Sequence, residues 1–452
     1  MEETIAAIAT PLGVGSLAVV RLSGKTALRV ADVIFRGHKG KPSEYKTHTL
    51  HHGMICDGDL PMDEALLTVM RAPRSYTTED VIEISCHGGL FSAKRILDLA
   101  IQSGARLAHP GEFTRRAFLN GRIDLTQAEA VLDIVGAQTE SAHSAAIAQL
   151  EGHLYRRLTQ LYDRLSDVLA QLEAHIDFPE EDIAPDNRGQ ILERVREIMK
   201  MQEELLRTAR DGRVLREGVR TVIIGKPNVG KSSLLNALLG HERAIVSATP
   251  GTTRDTIDEV ASIDGLPLHI TDTAGLGEPT EEVEKEGMVR TRRHFETAEL
   301  VLLVLDCSRR LEDEDRKLLD MCKKKPLIVI LNKMDLGQMV DANYLRDVKT
   351  CTLSLKTGEG LDNLKKTISM HLWQGKTWES FHEIFINARH QEALQRSFQA
   401  LKKTEDTLCQ NQSFEYVAAD LRVALEALGE VTGRTVTEDI LDRIFSAFCI
   451  GK

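Results

Sequence analysis

Residues 1 to about 117 mix short apolar runs with turn residues, as in Leu17-Ala18-Val19-Val20, Ala65-Leu66-Leu67-Thr68-Val69-Met70 and Val81-Ile82-Glu83-Ile84. A helical stretch over 92–101 lies between such runs, so the pattern predicts an α+β unit. From about 125 to 210 the rhythm changes. Leu150, Leu154, Leu158, Leu161, Leu165, Leu169, Leu172 and Ile176 recur at steps of three and four, which predicts a helix with one apolar face. After Arg220 come fully apolar runs at 222–224, 300–305 and 327–331, spaced by helical stretches. A mainly parallel sheet covered on both faces reads this way. From about 380 helical spacing returns in Leu394, Phe398, Leu401 and in Leu421, Leu425, Leu428. Two helical segments bracketing an α/β block predict an inserted domain, with the flanks packing as one helical body.

Composition narrows the function classes. At 452 residues the chain is too long for one ordinary core. A net charge of −11 rules out a polycation built to coat nucleic acid or anionic lipid. Aromatic residues make up 4%, too few for wide base-stacking surfaces. No stretch approaches the roughly 20 apolar residues that span a bilayer. The start, Met1-Glu2-Glu3, is acidic where a signal peptide is basic. Seven scattered cysteines without CxxC spacing suggest a reducing cytoplasm. Cys86-His87 together with Cys56 or His51-His52 lacks the ligand spacing of a zinc site. Between Arg164 and Arg188 there is no Lys or Arg, while Glu173, Asp177, Glu180, Glu181, Asp182 and Asp186 fall there. An exposed acidic loop around Pro179 explains them better than a metal site does.

The chemistry concentrates after residue 220. Gly225-Lys226-Pro227-Asn228-Val229-Gly230-Lys231-Ser232 fits GxxxxGK[ST], after an apolar strand and before a helical run over 233–239. Glycines there let backbone N–H groups curl around phosphate, and the helix N-terminus adds its dipole. Lys231 is expected on the β- and γ-phosphates and Ser232 on Mg²⁺, with Asn228, Val229, Gly230 and Ser233 completing the loop. Asp272-Thr273-Ala274-Gly275 follows a strand ending Leu268-His269-Ile270, where a second carboxylate and a γ-phosphate-sensing glycine belong. Asn332-Lys333-Met334-Asp335 follows another apolar run. A carboxylate there can accept from guanine N1–H and the 2-amino group, a donor pair adenine lacks, so GTP is the expected substrate. Ser354-Leu355-Lys356 stands where a loop would support the base.

Leu276 occupies the position at which Ras-type GTPases carry a water-orienting glutamine, and a leucine cannot orient water. Another group and another source of transition-state charge are needed. Asn228 and Gly251-Thr252-Thr253-Arg254-Asp255 could enclose a monovalent cation standing in for an arginine finger. A loop-shaping hydrogen bond is the plainer reading of Asn228 alone.

Taken with the ends of the chain, these motifs resemble the MnmE/TrmE family of tRNA-modification GTPases over essentially all 452 residues. The most specific strings are Pro110-Gly111-Glu112-Phe113-Thr114, Ala117-Phe118-Leu119-Asn120-Gly121, Gly251 to Asp255, and the terminal Phe448-Cys449-Ile450-Gly451-Lys452. The resemblance implies a multidomain α/β and α+β fold. Its parts are an α+β folate-binding N-terminal domain that dimerises (1–117), a discontinuous helical domain (118–214 and 379–452, the latter with the FCIGK tail), and an inserted Ras-like P-loop GTPase domain (215–378). It further implies a cytoplasmic, K⁺-activated GTPase working as a homodimer, with neither membrane nor DNA as partner. With the flavoprotein MnmG, in a heterotetramer, such a protein places an aminomethyl or carboxymethylaminomethyl group at C5 of the wobble uridine of certain tRNAs, using 5,10-methylene- or 5-formyl-tetrahydrofolate.

Carried over residue by residue, the family's nucleotide contacts also fall on Ser247, Ala248, Thr249, Pro250, Gly251, Thr252 and Thr253. Its K⁺ contacts fall on Asn228, Ser247, Thr249 and Thr252, and Thr253 joins Ser232 on Mg²⁺. Its catalytic acid falls on Glu284, within Glu281-Glu282-Val283-Glu284, which composition alone would read as a solvated helix start. Folate contacts match Arg21, Glu83, Arg122 and Lys452; the residue types alone would suggest surface ion pairs. Arginines suit the glutamate tail of a folate and a carboxylate suits pterin N–H groups. Cys449 reads either as a buried thiol or, through the resemblance, as a participant in the modification. Gly277 stands where the family usually has an arginine. A regulatory or ribosome-binding GTPase is the competing class, but no GxxG loop or basic tail supports it; pure folate storage leaves the GTP motifs unexplained.

Overall fold

The computed structural model describes residues 3–177, 188–240, 259–272, 294–373 and 384–452. The chain forms two compact units, one of Met1–Leu132, Tyr155–Ile198 and Arg396–Lys452, the other of Asp133–Leu154 and Met199–Gln395.

In the first unit the apolar runs become strands β1 (Ile5–Ile8), β2 (Leu17–Ser23), β3 (Phe35–Gly37), β4 (Thr49–Asp57), β5 (Leu60–Met70), β6 (Val81–His87) and β7 (Arg106–Leu107). Among the described residues they form one seven-stranded sheet in the order β3-β4-β5-β6-β2-β1-β7. All pairs are antiparallel except β1 with β7. Alternation decides the faces: Val20, Leu22, Leu67, Val69, Ile82 and Ile84 pack with Val30, Ile34, Ile96 and Ala100 from helices Ala27–Ile34 and Leu90–Gln102. Residues between them, including Arg21 and Glu83, are only half-buried.

The leucine stripe departs from expectation at its start. Helix His153–Asp177 buries Leu154, Leu158, Leu161, Leu165, Leu169 and Leu172, but Leu150 ends a separate helix, Glu140–Leu150. Gly152 between them has φ 81°, a left-handed residue that terminates a helix. Within the first unit the helical flanks are tied across long sequence gaps. Arg196 Nε donates to Glu405 Oε1 at 2.6 Å, and Arg422 Nη2 lies 2.7 Å from Glu173 Oε1. Thus Glu173 of the acidic stretch is an ion-paired helix residue; Glu180, Glu181, Asp182 and Asp186 lie outside the described residues.

The second unit holds β8 (Val219–Ile224), β9 (Glu259–Ile263), β10 (Leu266–Asp272), β11 (Leu300–Asp306), β12 (Leu327–Asn332) and β13 (Lys349–Thr352), ordered β13-β12-β11-β8-β10-β9. All neighbours are parallel except β9 with β10. Both faces are dry, with Ile223, Leu302, Val304, Ile328 and Ile330 on one side and Val222, Val301, Leu303, Val329 and Leu331 on the other. That is why these strands lack polar alternation. Parallel strands end on one edge, which brings Ile224, Asp272, Asp306, Asn332 and Thr352 toward a common rim. Open α/β sheets bind ligands at this carboxyl rim. Among the described residues no helix is long and apolar enough to cross a membrane.

Candidate functional site

β8 leads through 225–230 into helix Lys231–Leu239. Gly230 caps that helix at φ 110°, and a Cβ there would meet Asn332 Nδ2 at 2.4 Å, so both backbone and space require glycine. Asn228 is also left-handed (φ 61°), a conformation asparagine tolerates better than most residues, and it is exposed. Asn332 joins two motifs. Its Nδ2 donates to the Val229 carbonyl at 2.8 Å and its Oδ1 accepts from the Leu355 amide at 3.1 Å. The buried Ser354 hydroxyl donates to Asp335 Oδ1 at 2.7 Å, fixing an exposed carboxylate. Lys333 adopts φ 69° and reaches Asp306 Oδ2 at 2.6 Å. Burial works against the charged Asp306 carboxylate, but Lys333 and Ser308 overcome it and hold its pKa below the ordinary range. Lys231 Nζ donates to the Lys226 carbonyl at 2.9 Å. Asp272 closes β10 opposite Ile223 of β8, beside the start of the phosphate loop.

The structure thus gathers Asn228 to Ser233, Asp272, Asn332, Lys333, Asp335 and Ser354 to Lys356 at one rim. Ser247, Ala248, Thr249, Pro250, Gly251, Thr252, Thr253, Thr273, Ala274, Gly275, Leu276, Gly277 and Glu284 lie outside the described residues.

A second constellation sits in the first unit. Arg21 and Glu83 face each other across β2 and β6, and Arg21 Nε donates to Glu83 Oε1 at 2.8 Å. The same guanidinium donates through Nη1 to the Gly451 carbonyl at 3.3 Å, and its Cζ lies 5.8 Å from the Tyr76 ring centroid and 5.6 Å from that of Phe113. Arg122 covers the Tyr76 ring at 4.8 Å and donates to the Tyr76 carbonyl at 3.0 Å. Tyr76 and Arg122 also line a cleft of 530 Å³ with Asn120, Met70 and Pro73. Lys452 has a pKa below the ordinary lysine value, first through burial and then through the charge of Arg21.

Two of the family-like strings meet here. The Phe113 amide donates to the Lys452 carbonyl at 3.2 Å, and the Gly111 amide to the Cys449 carbonyl at 3.5 Å. Gly111 has φ 65°, and a Cβ there would strike the Phe445 carbonyl at 2.7 Å. Glu112 anchors the platform: it accepts from Arg106 at 2.6 and 2.8 Å, from Arg116 at 3.0 Å and from the His109 amide at 2.9 Å. Burial raises its pKa, but these donors win and hold it down to about 2. Phe445 and Phe448 are buried with Leu125 and Leu441, whereas Cys449 is exposed, which removes the buried-thiol reading. Cys56 and Cys86 are buried, and no group of three potential metal ligands occurs among the described residues.

Sequence reasoning missed Tyr76, on which both arginines converge; an isolated tyrosine carries no signal. Phe113 lies within the string Pro110-Gly111-Glu112-Phe113-Thr114, whose residue types alone do not mark it as a neighbour of Arg21.

Two family models match. The MnmE helical domain covers residues 125–449 and the GTP-binding protein TrmE N-terminus covers 4–122. The tRNA modification GTPase MnmE of Clostridioides difficile is 45% identical over 100% of both chains, and that of Bacillus subtilis 44% over 100% of both. Among solved structures, the G domain of the T. maritima FeoB iron transporter is similar at 27% identity and a TM-score of 0.27, covering 33% of this chain and 96% of that one.

Proposed function

The chain belongs to the MnmE family of tRNA modification GTPases, and from that premise we propose that it couples GTP hydrolysis to folate-dependent modification of the wobble uridine. In this reading it works as a homodimer with an MnmG-type flavoprotein and adds an aminomethyl or carboxymethylaminomethyl group at C5. The observation that carries the proposal is the tail: Gly451 is bonded to Arg21, which is paired with Glu83. Those two residues and Lys452 come from both ends of the sequence, and a ligand with carboxylates and a ring rich in N–H donors suits cations beside one carboxylate. The depressed pKa of Lys452 marks a cation that an anionic ligand would relieve.

On the nucleotide side, the phosphate loop leads directly into the N-terminus of helix Lys231–Leu239, whose dipole favours an anion there. Lys231 exchanges the Lys226 carbonyl for phosphate oxygens, and Asp335, oriented by Ser354, accepts from guanine. The exposed Ser232 hydroxyl, a hard oxygen donor at the helix start, suits Mg²⁺, with Thr253 as the second protein oxygen. Mg²⁺ supplies charge neutralisation on the phosphates when bound. The Asn228 amide oxygen and the hydroxyls of Ser247, Thr249 and Thr252 suit K⁺ in the same sense. Glu284 orients the attacking water that Leu276 cannot, and the exposed Cys449 takes part in the modification beside the folate.

Mass spectrometry of tRNA nucleosides from cells lacking the gene tests the whole reading. The C5-modified wobble uridine should disappear and return with the wild-type chain; an unchanged nucleoside profile contradicts it.

A further inference from the structure

Lys226 is the first variable residue of the phosphate loop, and its ammonium ends among three carboxylates of another segment. It is 5% exposed, and its Nζ lies 2.6 Å from Glu312 Oε2, 3.3 Å from Glu314 Oε2 and 3.3 Å from Asp315 Oδ2. Asp315 is itself buried, while Glu312 and Glu314 are exposed. These carboxylates open helix Asp313–Cys322, where Glu312 and Asp315 form a capping box and the Glu312 amide donates to Asp315 Oδ2 at 3.1 Å. Glu312 and Asp315 are therefore held by their own helix start as well as by the lysine.

Lys226 links this helix to the nucleotide. Its backbone carbonyl holds Lys231 Nζ, so the residue fixed by the carboxylates is also the resting point of the phosphate-binding lysine. Further along the loop, the Val229 carbonyl is held by Asn332. Pro227 and Asn228, between these two fixed points, are exposed. The loop is thus a short span pinned at Lys226 and at Val229, and its curvature depends on both pins.

We propose that Lys226, clamped by Glu312, Glu314 and Asp315, is a positioning residue that sets the curvature of the phosphate loop for guanine nucleotides. It is not a phosphate ligand, because its ammonium is already surrounded by carboxylates. It acts on ground-state binding through the loop amides, so GDP and GTP should respond alike.

The test measures nucleotide affinity with a fluorescent GDP and a fluorescent non-hydrolysable GTP analogue, kcat at saturating GTP, and thermal melting, all on the full chain. Lys226→Met should weaken both nucleotides by about 10-fold or more while kcat at saturation changes by less than about threefold, the split of a displaced binding loop. Lys226→Arg, which keeps the charge, should restore affinity to within about threefold of wild type. Removing the lysine leaves Asp315 buried without its cation and could unfold the protein. The double variant Glu312→Gln with Glu314→Gln therefore weakens the clamp from its exposed side, and should reduce both affinities by about two- to fivefold. Normal affinity in the folded Lys226→Met protein overturns the proposal, as does normal affinity in the double variant should Lys226→Met not fold. A fall in kcat at unchanged affinity also overturns it, by assigning Lys226 to the chemical step.

Discussion

Lys231 bonds a carbonyl five residues back in its own loop, whereas Arg21 bonds one 430 residues further along the chain. The nucleotide rim is assembled from short connections leaving parallel strands, each carrying its own motif. The tail cradle needs the N-terminal sheet, the 110–122 segment and the last helix to have closed before it exists. Long-range closure carries a larger chain-entropy cost that surrounding contacts must offset. Here Phe445 and Phe448 in a shared apolar cluster, the left-handed Gly111 and the Glu112 ion network supply them. The rim should therefore tolerate changes at the chain ends, and the cradle should not.

The largest expected effect lies on the rim side. Glu284→Ala should lower kcat by about 10²- to 10⁴-fold, the usual scale for a group assisting proton transfer, while GTP affinity stays close to wild type. Glu281→Ala and Glu282→Ala should hydrolyse nearly normally. Equal behaviour of all three variants in a phosphate-release assay would remove Glu284 from its role. None of them should change folate affinity, and such a change would break the separation between the two regions.

A smaller effect sharpens the cradle side. The Glu112 pKa is lowered from 4.5 to about 2, so its contribution to stability is fully present above pH 4.5 and is lost as pH falls toward 2. Because Arg106 is partly exposed, the contribution is on the order of 2 kcal/mol after allowance for screening. Glu112→Gln should lose this amount at neutral pH and flatten the acid limb between pH 4.5 and 2, as read by denaturant midpoints. An unchanged acid limb would show that the network contributes no net stability.

The difference in construction also explains what could be read from residues alone. Strands β2, β5, β6, β8, β10, β11 and β12 and the motifs at 225–232 and 332–335 were legible because each depends on local rhythm or spacing, whereas β1, β3, β4, β7 and β9 were not picked out. The break at Gly152 was not, since leucines at the same spacing continue across it. Arg21, Glu83 and Lys452 had no shared sequence neighbourhood, and only the resemblance joined them; their juxtaposition is produced by register across β2 and β6 and by the docked tail. The clamp on Lys226 was hidden for the same reason, its acceptors lying 86 residues away or more.

Deleting Gly451 and Lys452 tests most directly whether the tail completes the cradle. A charge-assisted contact typically contributes about 1.5–3 kcal/mol, so isothermal titration with 5-formyl-tetrahydrofolate should show affinity reduced by roughly 10- to 150-fold. GTP hydrolysis in the same preparation should remain at the wild-type rate. Unchanged folate affinity would contradict the assignment of the tail to the folate site.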